Sequence, residues 1–229
     1  MLLQIILLTI GAYLLGSVPT SYIAGRLLKG IDVRDHGSGT VSGSNVWHSV
    51  ARWAVVPVGI FDILKGFIPV YVTMVMGLTL FDNPVLAQGI VGLAAIAGHN
   101  WPIFLGFFGG RGISTMMGVL VVLAPWELLV FVVVWLLCIA LLRNVPLGAI
   151  IAAMSLPLAG WGLERDLALT LCLLAIFFLF VLKRLFANRG TPAGDWRRVV
   201  VCRLLFDRDI ADRKAWVHRN PSDSEEPPE

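Results

Sequence analysis

An all-α, polytopic membrane protein with seven transmembrane helices, its N-terminus outside and its C-terminus cytoplasmic, is the fold the sequence predicts. Three observations carry this expectation. Of 229 residues, 57% are hydrophobic and only 14% charged, whereas a soluble domain carries roughly a quarter of its residues charged. The mean hydropathy is +0.81. Seven apolar runs are separated by turn residues or charges, several of them near the ~20 residues that a spanning helix needs. Finally, the cations fall on one side when the runs are threaded alternately.

The first run covers about Leu2 to Ala24; it has no basic leader and further spans follow it, so a cleaved signal is not expected. The second, about Ala54 to Leu80, contains Pro57, Pro69, Asp62 and Lys65. Next come about Pro84 to Phe104 and the short Ile113 to Leu123, which reaches span length only if Gly109 to Gly112 begins inside the boundary. The fifth to seventh runs are about Trp126 to Leu142, Val145 to Trp161 and Leu167 to Leu182. With this threading, all but Lys65 and Arg165 of the 18 Lys and Arg residues lie on one side. Positive loops stay cytoplasmic, which sets the orientation. An even number of spans scatters the charges over both faces.

Two segments are expected: a membrane domain over residues 1–187 and a basic cytoplasmic tail over 188–229. No internal repeat is visible. Within the tail, Trp196 to Trp216 mixes arginines with Val199, Leu204, Leu205, Phe206 and Ile210. It reads either as an interfacial helix on anionic lipid or as a solvated basic extension. Pro221 to Glu229 has the composition of a disordered end. Cys138, Cys172 and Cys202 form no ligand spacing, and no metal, cofactor or nucleic-acid partner is expected.

Polar chemistry concentrates in two glycine loops. The first, Gly25 to Trp53, contains Arg34, then Gly37-Ser38-Gly39-Thr40, then Asn45 and His48. Consecutive glycines allow backbone N–H groups to converge on an anion, with serine hydroxyls and an arginine completing a phosphate cradle; the same composition also makes a flexible loop. The second runs from Gly98-His99-Asn100-Trp101-Pro102 to Gly109-Gly110-Arg111-Gly112, just before the fourth run. Backbone donors at a helix N-terminus with a guanidinium suit a phosphate or carboxylate. Alternatively, Arg111 anchors topology and the glycines allow close helix packing. Asp62 and Lys65, three apart within a span, read as a structural ion pair or as part of a pathway. There is no HExxH, no GxSxG and no alcohol-activating base outside these clusters; His218 and Asp223 share an acyltransferase spacing but sit in the tail.

Taken in order, Gly16-Ser-Val-Pro19, Gly30-x-Asp-x-Arg34 with Gly37-Ser-Gly39, Asn45-Val46, Asp62-x-x-Lys-Gly66, and Gly98-His-x-x-Pro102 through Gly109-Gly-x-Gly112 resemble the bacterial acyl-phosphate:glycerol-3-phosphate acyltransferases, the PlsY type. The likeness covers nearly the whole membrane domain. It implies a seven-span fold in a bacterial inner membrane. The implied reaction is attack of the glycerol 3-phosphate C1 hydroxyl on an acyl phosphate, giving lysophosphatidic acid and phosphate for phospholipid synthesis. No metal and no acyl-enzyme are implied, and a substrate phosphate is thought to help accept the hydroxyl proton. By the resemblance Ser38 and Arg111 are the catalytic candidates, with Gly37, Gly39, Arg34, Asn45, His48, Gly109, Gly110 and Gly112 contacting substrate. The chain departs from the family in several places. Arg111 stands for a lysine, Thr40 for an asparagine and His48 for an arginine, with Arg52 one helical turn later as its candidate replacement. Pro146 and Ala149 stand for two serines, and Lys183 to Asn188 lacks the histidine of the third motif. A diverged paralogue with another acceptor or a lipid-binding role, and a small transporter built around Asp62 and Lys65, are the competing readings.

Overall fold

The structure, a computed structural model, describes residues 1–186 and 196–212. Among these the chain is helical and builds no sheet. Each expected apolar run contains a helix. The first run is broken in two, α1 (Leu2–Ser17) and α2 (Thr20–Lys29). Pro19 explains the break: the residue before a proline avoids the helical region, and Val18 is extended, with φ −60° and ψ 116°. Helix α2 ends at Gly30 in the left-handed conformation with Arg26 and Lys29 in its last turn, the usual chemistry of a helix C-terminus.

The bundle continues through α3 (Val55–Val75), α4 (Pro84–Asn100), α5 (Ile113–Leu123), α6 (Pro125–Leu142), α7 (Val145–Gly162) and α8 (Leu167–Leu185). Asn83, Asn144 and Asp166 cap α4, α7 and α8 through backbone N–H groups of the first turns. Among the described residues, five helical stretches are long and apolar enough to cross a membrane: Leu2–Lys29 taken together, α3, α6, α7 and α8. Helix α4 has 17 residues and α5 only 11. At 1.5 Å per residue, α5 is about 16 Å long, roughly half a ~30 Å hydrocarbon core.

The main core sits between α3, α4, α5, α6, α7 and α8, around Val70, Val119, Leu120, Phe131, Leu156, Leu173 and Ile176. Large apolar side chains such as Leu7, Leu136, Leu141 and Phe178 face outward, as lipid allows. Two crossings are closer than ordinary side chains permit. Gly16 lies against the carbonyl of Ala95 while Gly98 lies against that of Tyr13, closing α1 on α4. In the same reciprocal way Gly66 meets Thr115 and Gly118 meets Ile63, closing α3 on α5.

At the end of the bundle away from the glycine loops, Arg165 donates from Nε to Glu127 Oε1 at 2.8 Å, and Glu127 is fully buried. The isolated cation of the sequence is thus an ion-pair partner. Helix α9 (Trp196–Phe206) begins the described part of the tail, residues 196–212. It docks on the membrane domain: Arg184 Nη1 donates to Leu204 O at 2.6 Å and Arg203 Nη1 to Leu185 O at 2.6 Å. The expected domain boundary at 187, residues 213–216 of the proposed interfacial helix, the His218 and Asp223 pair and the acidic end lie outside the described residues.

Candidate active site

The extended Val18 exposes a carbonyl that a continuous helix would have used. Lys65 Nζ donates to it at 2.5 Å, to Thr20 Oγ1 at 3.1 Å and to Asp62 Oδ1 at 2.6 Å. Thr20 also donates to Asp62 Oδ1 at 2.6 Å, and His99 Nδ1 stands 3.6 Å from the same oxygen. The buried pair Asp62 and Lys65 therefore fastens the α1–α2 corner to α3 and α4. With three acceptors around it, the Lys65 ammonium has no donor left for a ligand.

The first glycine loop is organised from within. Asp32 accepts from the Arg34 backbone at 3.0 Å and from its guanidinium at 2.6–3.2 Å. This bonding to Arg34 holds the Asp32 carboxyl below the usual carboxylate range and raises Arg34 in turn. Asn45 is buried, and its Nδ2 reaches the carbonyls of Val33, His36 and Thr40 at 2.6, 3.0 and 2.9 Å while its Oδ1 accepts from Ser49 at 2.9 Å. Gly37 has φ +60° and its open side faces Asn45 and Ser49, so a side chain there meets both strain and a clash. Ser38, Thr40, Ser42 and Ser44 form a chain of hydroxyls at 2.8, 2.8 and 3.1 Å. His48 is exposed, and Arg52 lies over the Trp47 ring at 5.7 Å.

The second loop folds back on α4, with Gly110 N donating to His99 O at 3.1 Å. Gly109 packs on Pro102 and the His99 carbonyl. Gly110 packs on His99 Nε2 and on the carbonyl of Val41, which joins the two loops. Gly112, at φ +75°, leads into α5 and lies against the Asn100 amide. Arg111 is ion-paired: its Nε is 2.9 Å from Asp207 Oδ2 and its Nη2 donates to Asp207 O at 3.3 Å. Lys183 donates to the Asn100 carbonyl and lies 5.2 Å from the centre of the Trp101 ring. Between the α1–α2 corner, Lys65, His99 and Gly109–Gly110 is a cleft with room for about one water.

The structure thus joins the two loops through Val41 and Gly110 and puts Arg111 at the entrance to α5. Arg34 and Asn45 serve the loop itself, and His48 faces outward. Sequence reasoning gave no role to His99, Asn100, Lys183 or Asp207. For His99 and Asn100 the signal was present in the motif Gly98 to Pro102; for Asp207, 96 residues from Arg111, nothing local indicates the pairing. No cluster of three or more His, Cys, Asp or Glu side chains that could hold a metal occurs among the described residues.

The sequence profile of the family described as Glycerol-3-phosphate acyltransferase matches residues 6–189. The chain belongs to the glycerol-3-phosphate acyltransferase family. "Glycerol-3-phosphate acyltransferase 5" of Dehalococcoides mccartyi is 34% identical over all of this chain and 99% of its own length. A glycerol-3-phosphate acyltransferase of Geobacter sulfurreducens is 36% identical over 80% of this chain and 91% of the relative. Among solved structures, PlsY (YgiH), an integral membrane glycerol 3-phosphate acyltransferase, superposes in its glycerol 3-phosphate form with a TM-score of 0.71 and 32% identity. That match covers 79% of this chain and 88% of the other. Its lysophosphatidic acid form gives 0.71 and 28% over 89% and 98%. The acyltransferase profile match covers both glycine loops and ends before α9, so Asp207, the partner of Arg111, lies outside the matched residues.

Proposed function

We propose that the protein transfers an acyl group from an acyl phosphate to the C1 hydroxyl of glycerol 3-phosphate on the cytoplasmic side of a bacterial inner membrane. The chain crosses seven times, N-terminus outside, and the acyl chain lies among the helices. The hydroxyl oxygen attacks the acyl carbon, the bond from that carbon to the phosphate oxygen breaks, and phosphate departs with the electron pair. The hydroxyl proton ends on a substrate phosphate, which suits a site of hydrogen-bond cradles. Arg111, the Gly109–Gly112 backbone and the N-terminus of α5 stabilise the phosphate charge, while Ser38 and its neighbouring hydroxyls position the acceptor. The observation that carries this reading is the meeting of the two glycine loops, Val41 carbonyl on Gly110, directly beside Arg111. Reactants gripped from both sides gain mainly by orientation.

Purified protein incubated with acyl phosphate and labelled glycerol 3-phosphate is expected to release lysophosphatidic acid and phosphate. Ser38→Ala and Arg111→Ala are expected to lower kcat/KM by at least tenfold. Absence of product in a detergent that keeps the protein folded refutes the reaction. Substituted-cysteine labelling from either side of sealed vesicles tests the seven crossings: the Gly30–Val50 loop and the chain after α8 must label from the same side.

A further inference from the structure

Asn100 ends α4 and is 0% exposed, yet neither its Nδ2 nor its Oδ1 has a hydrogen-bond partner. Buried side-chain amides are almost always paired, and an orphaned one is costly. The amide lies against Gly112, where the chain turns into α5. Its oxygen and nitrogen can exchange by rotation without losing a bond, because neither makes one. The hydroxyl of Thr115, in the first turn of the same 11-residue helix, is likewise buried and unpartnered. Gly112 immediately precedes the first turn of α5, whose leading backbone N–H groups have no acceptor within the helix. The Lys183 ammonium donates to the Asn100 carbonyl. The unpaired Asn100 amide therefore lies at Gly112, between Arg111 and the first turn of α5. The carboxylate beside them, Asp207, is bonded to Arg111 and belongs to the tail.

We infer that Asn100 is a further phosphate-binding residue: its amide donates to an oxygen of the phosphate group held between Arg111 and the N-terminus of α5. The inference rests on the proposed function for the identity of the loop as a phosphate site and adds a ligand that the glycine motif does not contain. The occupant is a tetrahedral phosphate group, which acyl phosphate, glycerol 3-phosphate and released phosphate share. Binding requires the Gly109–Gly112 segment to shift, because the Asn100 amide is fully buried against Gly112. That shift gives the Asn100 amide the partner it lacks.

The test separates a ligand from a structural amide. Asn100→Leu keeps the approximate volume and removes both polar atoms. Removing an unpaired buried amide does not destabilise, so the unfolding midpoint in phosphate-free buffer stays level or rises. The Kd of the purified protein for inorganic phosphate is expected to rise about tenfold. Asn100→Asp, which adds a charge of the wrong sign, is expected to raise it further. In turnover, an increase in KM confined to acyl phosphate assigns the site to the donor, and one confined to glycerol 3-phosphate assigns it to the acceptor. Unchanged phosphate affinity in both variants, with a lowered midpoint for Asn100→Leu, overturns the inference and leaves the loop assignment standing. Wild-type protein that binds no phosphate overturns both.

Discussion

Asp207→Asn removes one negative charge from the guanidinium of Arg111 while preserving the volume of the side chain. The two atoms are 2.9 Å apart, and the side chains are 12% and 21% exposed. A hydrogen bond between charged groups contributes about 1.5–3 kcal/mol and a neutral one about 0.5–1.5. Partial exposure and salt reduce the charged figure, and the bond from Arg111 Nη2 to the Asp207 backbone carbonyl is unaffected. The net loss is therefore about 1 kcal/mol of tail docking. A phosphate that uses Arg111 must displace the carboxylate, so the same ~1 kcal/mol should reappear as about fivefold tighter phosphate binding. Titration of detergent-solubilised protein with inorganic phosphate at fixed ionic strength measures this directly. The KM for whichever substrate places its phosphate on Arg111 should fall in parallel. A Kd equal to or higher than wild type shows that Asp207 and phosphate do not compete, and refutes the assignment of Arg111 as the phosphate cation.

Three further outcomes are expected. Lys65→Met leaves Asp62 charged and buried, which costs about 3–5 kcal/mol, so the unfolding midpoint should drop sharply; adding Asp62→Asn should recover much of the loss, and independent effects of the two changes would contradict the pairing. Gly98→Ala drives a Cβ into the Tyr13 carbonyl and should cost about 1–3 kcal/mol together with activity, measured by unfolding and turnover. Arg34→Gln removes the partner that lowers Asp32. A lowered carboxyl stabilises the fold above its unfolded-state value near 4 and loses that contribution as pH falls through the folded value. The midpoint gap between wild type and variant should therefore be full at neutral pH and shrink below about pH 4; a gap independent of pH contradicts the bond.

The helices were legible in the sequence because lipid imposes a coarse rule on composition. Ile113–Leu123 falls where the apolar run places it, and Asn83, Asn144 and Asp166 mark helix starts that a capping rule recovers. The interruption at Val18 was not foreseen, although Pro19 supplies its cause. Both glycine loops were legible as turns, since Gly37, Gly39 and Gly112 take the positive φ that glycine favours. Their surroundings were not. Asn45 reads as a substrate contact in sequence but spends its amide on three loop carbonyls. The proximity of His99 to Asp62 and the pairing of Arg111 with Asp207 arise from helices brought together by packing, which no periodicity encodes. The tail illustrates the same limit: nothing in its composition indicates that Arg203 bonds to the Leu185 carbonyl and to Asp209.

The reciprocal glycine crossings bear on the order in which the protein is built. They join helices that are not consecutive, α1 with α4 and α3 with α5. Each partner can form as a helix before the crossing closes, since its backbone hydrogen bonds are satisfied within it. Lateral association follows, and the first crossing cannot close before α4 has been synthesised, nor the second before α5. The loops take their positions from these crossings: Gly98 leads directly into His99 and Asn100, and Thr115 at the second crossing is three residues beyond Gly112. An inserted but unassembled chain thus has most of its helical content and lacks the apposition of its two glycine loops. A spectroscopic measure of helix would report it folded long before a probe of the contact between the loops did.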